Sequence, residues 1–154
     1  MEQFESWVYD LDPDVIEVTE SWASPDILDS ELSLIGYDLF RKDRPVSRSG
    51  GGVLLYVKSS LHAVESPPPS SFPEQLWCYF LDASKVKCYV GICYRTLTVD
   101  IYGSPNHDLL RDTVNELRAA GKHFLLMGDF NYRFLSWPPL LDNYSITNEA
   151  GEFF

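Results

Sequence analysis

The chain has 154 residues, 45% of them hydrophobic and 23% charged, which suits one globular domain with a sizeable core and excludes a disordered chain. Its formal net charge of -11 excludes passive adhesion to nucleic acid or to an anionic membrane, because a phosphate-rich surface repels it at long range. A polyanion binds such a chain only where local basic groups and a metal ion override that field.

Phe4, Trp7, Val8 and Leu11 recur at helical spacing and predict an amphipathic helix that Pro13 stops. The stretch PDVIEVTESW reads as a buried strand over 15–19 that ends in Glu20 and Ser21. Glu17, a charge inside that strand, is out of place. SPDILDSEL is a loop of helical character, and IGYDLFRKDR is a short strand running into a charged loop. RSGGGVLLYVKSSL is a glycine run leading into a β-rich strand over 53–57. The glycines lack the Walker pattern, so a tight approach to the strand suits them better than a phosphate-binding turn.

ESPPPSSFP, residues 65–73, has the composition of a surface loop. QLWCYFLDASKVKCYVGICYR predicts a hairpin turning at 82–85. A helix follows over 104–120, with Ser104 as cap, Pro105 in its first turn, Leu109, Leu110, Val114 and Leu117 as its stripe, and Gly121 closing it. It leads into the apolar strand of KHFLLMGDFNYRF, where Asp129 and Asn131 flank Phe130 and, in an extended chain, share a face. SITNEAGEFF starts like a helix and stops on Phe153 and Phe154, as in a chain cut inside an element. Strands mixed with helices and a hairpin predict an α/β or α+β layered domain over residues 1–154. Cys78, Cys88 and Cys93 form no close metal-type pair and read as reduced core thiols of an intracellular protein. The opening MEQFESW is no signal peptide and no apolar run approaches a membrane span, so the expectation is a soluble protein with no membrane partner.

Three strands deliver polar groups at their C-terminal ends: VIEVTE with Glu20, YVGICYR with Tyr94 and Arg95, and FLLMGDFN with Asp129 and Asn131. Strand ends gathered at one edge of a sheet commonly form sites. Glu20 and Asp129 suit a hard cation such as Mg²⁺, which takes oxygen ligands and keeps several waters. Asn131 suits a phosphate oxygen or the attacking water, and Tyr94 and Arg95 suit a phosphate. Arg41, Lys42 and Arg44, with Arg48 nearby, are candidate phosphate or DNA contacts. Each has a plainer alternative: acids after strands are most often solvated turn residues or caps, Gly-Asp-x-Asn is ordinary turn chemistry, Tyr94 alone reads as strand packing, and a charged loop is usually solvated.

PDVIEVTESW, LFRKDRPVSRSGGGVLLYVKSSL, VGICYRTL and FLLMGDFNY, in that order, resemble the endonuclease/exonuclease/phosphatase superfamily. Thr-Glu-Ser-Trp with Arg-Lys-Asp-Arg and triple glycine narrows the resemblance to the apurinic-type endonuclease domain of non-LTR (LINE-type, jockey/CR1-like) retrotransposons. It implies a four-layer α/β sandwich and DNA nicking that depends on Mg²⁺, with Mn²⁺ as its substitute, the nick priming a downstream reverse transcriptase. It implies that Glu20 binds metal, that Asp129 positions or activates the nucleophile, that Asn131 holds the phosphate and that Tyr94 contacts the scissile phosphate. It also implies action in the nucleus, although no targeting signal is seen.

The departures set further expectations. The family's first strand, with its asparagine, is missing before the opening helix, and so are the final aspartate and Ser-Asp-His motif after Gly-Asp-Phe-Asn. Thr96 stands where a proline is usual. His62, His107 and His123 are poor substitutes for the family histidine. The resemblance thus predicts a fragment truncated at both ends with impaired activity. An inactive retrotransposon remnant, or a phosphatase of inositol or sphingolipid head groups, is the alternative.

Overall fold

Alternating apolar residues and two tight connections build a pair of facing sheets. The computed structural model describes residues 2–44, 50–96 and 106–131. Helix α1 (Glu2–Leu11) leads into β1 (Val15–Thr19), and a short α2 (Asp29–Leu32) precedes β2 (Tyr37–Lys42) and β3 (Val53–Lys58). These strands form an antiparallel sheet in the order β1-β3-β2. A second sheet has the order β4-β5-β6-β7, from β4 (Val64–Ser66), β5 (Gln75–Leu81), β6 (Lys87–Tyr94) and β7 (His123–Asp129). Its last pair is parallel, and α3 (Asn106–Ala119) makes the crossover that a parallel pair requires.

Three apolar clusters show the layers. Val53, Leu55 and Val57 of the first sheet meet Leu76, Cys78, Val90 and Ile92 of the second. On the outer face of the first sheet, Val8 of α1 packs with Ile16, Leu54 and Tyr56. On the outer face of the second, Leu110 of α3 packs with Phe72 and Cys93. The stack α1, sheet, sheet, α3 is the expected four-layer α/β sandwich. Among the described residues no helix is long and apolar enough to cross a membrane.

The expected strand over 15–19 is β1, and the hairpin turns where the sequence places it, Asp82 Oδ1 accepting from the N–H groups of Ser84 and Val86. Gly121 closes α3 in the left-handed region (φ 62). One reading needs correction: residues 65 and 66, placed in a surface loop, belong to β4, whose side chains are mostly exposed and carry no alternating signal. Ser104, Pro105, Arg48 and the segment 145–154 lie outside the described residues.

Glu17 faces the space between the sheets, opposite Leu55. Its Oε1 is buried without a hydrogen-bond partner, and desolvation pushes its carboxyl from the ordinary 4.5 up to about 8. Cys93 of β6, which feels the charge of Glu17, is itself shifted upward, first by burial and then by that charge. The folded state therefore holds the Glu17 proton more tightly than the unfolded chain does. Its stability contribution is complete below about pH 4.5 and is lost as the pH rises to about 8. Denaturant unfolding across this window should show stability falling with pH, and Glu17→Gln should flatten the slope. An unchanged slope in the variant would remove Glu17 as its source.

Candidate active site

The site grows from the ends of three strands. In the parallel pair β6–β7, Tyr94 lies in register with Asp129. In the other sheet Thr19 pairs with Val53, so the chain leaving β1 runs beside the glycines that precede β3. Ser21 N–H donates to Gly52 O at 3.2 Å, and Trp22 N–H to Gly51 O at 2.9 Å. Because β1 packs against β6 and β7, Glu20 of one sheet meets Tyr94 of the other.

Glu20 is exposed yet held from several sides. Its Oε2 accepts from Gly51 N–H at 2.6 Å and from Trp22 Nε1 at 2.9 Å, and the Tyr94 phenol of the other sheet stands beside the carboxylate. The polar phenol foremost, then the Gly51 and Trp22 N–H groups and the Arg44 charge, hold its carboxyl below the usual range. The neighbouring carboxylate, with desolvation second, pushes the Tyr94 phenol up to about 12. At neutral pH the arrangement is an ionised carboxylate beside a neutral phenol.

The local backbone is costly. Glu20 and Trp22 sit at φ 54 and 55, where an L side chain costs roughly 1–2 kcal/mol. The glycines make this possible: Gly51 is at φ 81, and a Cβ there would lie 2.4 Å from Arg44 Nε. The run 50–52 is thus the cradle of Glu20 as well as the approach to β3.

Gly128 explains the other motif. A Cβ on it would lie 1.9 Å from Cys93 O, so only glycine lets β6 and β7 approach here. Asp129 is exposed, and its Oδ1 accepts from Asn131 N–H at 3.0 Å. Asn131 is left-handed (φ 49) and its Nδ2 donates to Arg95 O at 2.9 Å. The pair is thus organised by a turn that closes the strand, and the strand alternation expected from the sequence stops at Asp129.

The basic candidates divide. Arg41 uses all its donors within the chain: Nε and Nη2 on Asp43 (3.0 and 2.6 Å), Nη1 on Ile27 O and Asp29 (2.7 and 2.8 Å), and Nη2 on Ser24 O (2.9 Å). That guanidinium braces the 24–29 loop and has no N–H left for a phosphate. Arg95 is 6% exposed and donates to Phe130 O and Asn131 O, clamping the turn from below. Lys42 donates to Gln75 O at 3.3 Å and its ammonium is shifted downward by desolvation. Arg44 pairs with Glu74 and stands 5.7 Å from the centroid of the Tyr94 ring, which places one cation at the site. In the sequence Trp22 and Gly51 carry the family resemblance without a place at the site, and Glu74 carries no signal at all; the left-handed backbone and the charge pairing that give them their places leave no local trace.

The histidines stand apart. His123 opens β7, at the end opposite Asp129, and His62 follows the far end of β3. His107 is buried in the first turn of α3, next to Asn106, whose Nδ2 donates to Thr96 Oγ1 at 2.7 Å.

Among the described residues no group of three or more His, Cys, Asp or Glu side chains is placed to hold a metal ion. Glu20 and Asp129 are the donors available, both exposed and both felt electrostatically at Tyr94. Mg²⁺ needs only one or two carboxylates because it keeps most of its waters, so this oxygen donor set fits it.

The family model described as the Endonuclease/Exonuclease/phosphatase family matches residues 1–146. Among solved structures, the chain is similar to an AP endonuclease from Leishmania major, at 16% identity and a TM-score of 0.63, over 81% of this chain and 48% of that one. It is also similar to the catalytic domain of Xenopus laevis APE2, at 19% identity and a TM-score of 0.66, over 97% of this chain and 60% of that one. The chain therefore spans about half to three fifths of the length of these structures. No curated protein matches it.

Tyr94→Phe should raise the Glu20 pKa toward the ordinary carboxylate value, because it removes the neighbouring phenol, the first of the influences that favour the ionised form. A carboxyl titration followed by NMR measures this, and an unchanged midpoint would mean that the phenol does not hold Glu20.

Proposed function

We propose that this chain, which belongs to the Endonuclease/Exonuclease/phosphatase family, hydrolyses phosphodiesters and is the DNA-nicking part of a non-LTR retrotransposon-derived protein. In that setting the nicked 3′ end primes a reverse transcriptase carried downstream in the parent protein. The observation that carries the reading is the meeting of Glu20, Tyr94 and Asp129 at one end of two facing sheets.

Phosphodiester hydrolysis requires an in-line water, a group to orient it and relieve it of its proton, and stabilisation of charge at phosphorus and at the departing oxygen. Asp129 is exposed, and among the described residues its carboxylate is hydrogen-bonded through Oδ1 alone, which leaves the other oxygen to orient water. Tyr94, neutral at working pH, presents a phenol to the scissile phosphate, and the Arg44 cation beside its ring adds positive field. Asn131 lies next to Asp129 in the same turn. Glu20 and Asp129 would hold Mg²⁺, which supplies Lewis-acid stabilisation of the phosphate oxygens.

A positioned acid–base group contributes about 10²–10⁴-fold in rate. His62 and His123 lie at the far ends of the sheets, and His107 is buried in α3, so none takes the place that the retrotransposon endonucleases give to a histidine. The expected activity of this chain is accordingly slow.

Supercoiled plasmid should be nicked slowly with Mg²⁺, not at all with EDTA, and not by Asp129→Ala. Nicking that survives EDTA or Asp129→Ala would overturn the assignment, and a chain with no activity at any concentration would make it an inactive remnant. In calorimetry, Glu20→Gln should weaken Mg²⁺ binding, and equal affinity would take Glu20 out of the metal site.

A further inference from the structure

Trp22 stands beside Glu20, and the proposed reaction leaves it without a role. It is 67% exposed, whereas Trp77, in the core, is 1% exposed. Isolated exposed apolar residues are ordinary. Trp22 differs because two hydrogen bonds fix where it stands and its ring lies close over Gly50. Its backbone N–H is bonded to Gly51 O, its Nε1 is bonded to Glu20 Oε2 at 2.9 Å, and a Cβ on Gly50 would lie 3.4 Å from its ring. It holds this position in a left-handed conformation (φ 55) that is unusual for so bulky a residue. An indole whose N–H is tied down and whose surface is still in water presents a rigid aromatic face beside the carboxylate that would hold the metal.

We propose that Trp22 is a stacking platform for the nucleotide base next to the scissile phosphate, so that the substrate is a nucleic acid strand with an accessible, unstacked base at that point. This rests on the phosphodiester reading above and specifies its substrate. The indole is one hydrogen bond from Glu20, so a phosphate at the site and a base over the ring belong to adjoining parts of one strand. Stacking also answers the charge problem. With a net charge of -11 the chain gains nothing from its long-range field, and Arg41 and Arg95 are used internally. Base–aromatic contact supplies affinity that does not depend on that field. A polyol head group has no aromatic face to offer, so the same geometry separates a nucleic acid from an inositol phosphate.

The test is equilibrium binding of a fluorescent DNA oligonucleotide, without divalent metal so that no cleavage occurs, by the wild-type chain, Trp22→Ala and Trp22→Phe. One oligonucleotide carries ordinary bases throughout and a second has base-free sugar phosphates in its centre. Thermal unfolding of each variant should match wild type, as expected for an exposed side chain. Stacking predicts that Trp22→Ala weakens binding of the ordinary strand about tenfold, within the range measured for stacked bases elsewhere. It predicts that Trp22→Phe keeps most of the affinity, and that Trp22→Ala and wild type bind the base-free strand equally. Phenylalanine lacks the N–H that reaches Glu20, so a Trp22→Phe loss as large as that of Trp22→Ala would show that Trp22 acts only by positioning Glu20, and would overturn stacking. Wild-type binding left unchanged by Trp22→Ala would overturn it too, with the nucleic-acid reading intact. Failure of wild type to bind either strand, with retained binding of an inositol phosphate, would overturn both.

Discussion

The Tyr94 phenol and the Glu20 carboxylate come from opposite sheets and meet where their strands end. Facing sheets are held by apolar burial, which is strong but not directional. That burial aligns Val53, Leu55 and Val57 with Leu76, Val90 and Ile92, yet it leaves the relative placement of the open ends loosely specified. Directional bonds set the open ends: Glu20 Oε2 and the 21–22 backbone are tied to the glycine run, and Arg95 N–H donates to Asp129 O. Everything proposed for the site depends on this alignment, since Glu20 arrives from β1 while Asp129 arrives from β7 beside Tyr94.

Holding one carboxylate this firmly has local costs that the surrounding residues offset. The left-handed turns at Glu20 and Trp22 are matched by backbone bonds to the glycine run, whose missing side chains leave room for Arg44. Arg44 is ion-paired with Glu74 while standing against the Tyr94 ring. The positive charge near the site is thus fixed in place by a partner, in contrast to a flexible surface lysine. Strain gathered at one end of an otherwise regular sandwich is the pattern expected where geometry serves chemistry.

The arginines show how structure redistributes roles that composition suggests. Arg41 and Arg95 both belong to segments that resemble nuclease motifs, and both are structural clamps, one for the 24–29 loop and one for the 129–131 turn. A planar guanidinium with five donors suits a cluster of backbone carbonyls as well as it suits a phosphate. Their burial leaves metal binding and aromatic contact as the means by which an acidic chain could meet a polyanion.

The amino-acid sequence by itself determined the elements whose signals are local. A short apolar β-branched run placed β1, glycine and β-branched residues placed β3, turn chemistry placed the β5–β6 hairpin, and the apolar stripe placed α3. Glu20, Tyr94, Asp129 and Asn131 were legible as polar groups at strand ends, and the order of their motifs carried the family resemblance. Only the tertiary structure decided what those groups touch. The meeting of Tyr94 with Glu20, the fivefold engagement of Arg41, the burial of Arg95, the pairing of β4 and the fixed exposure of Trp22 all depend on how distant strands are placed. Glu17 makes the same point, because an acid in an apolar strand is only an oddity until packing shows that it faces the interior and keeps its proton. Periodicity is written between neighbouring residues, whereas hydrogen-bond partners across a sheet interface are set by packing, and packing leaves no short-range trace in the chain.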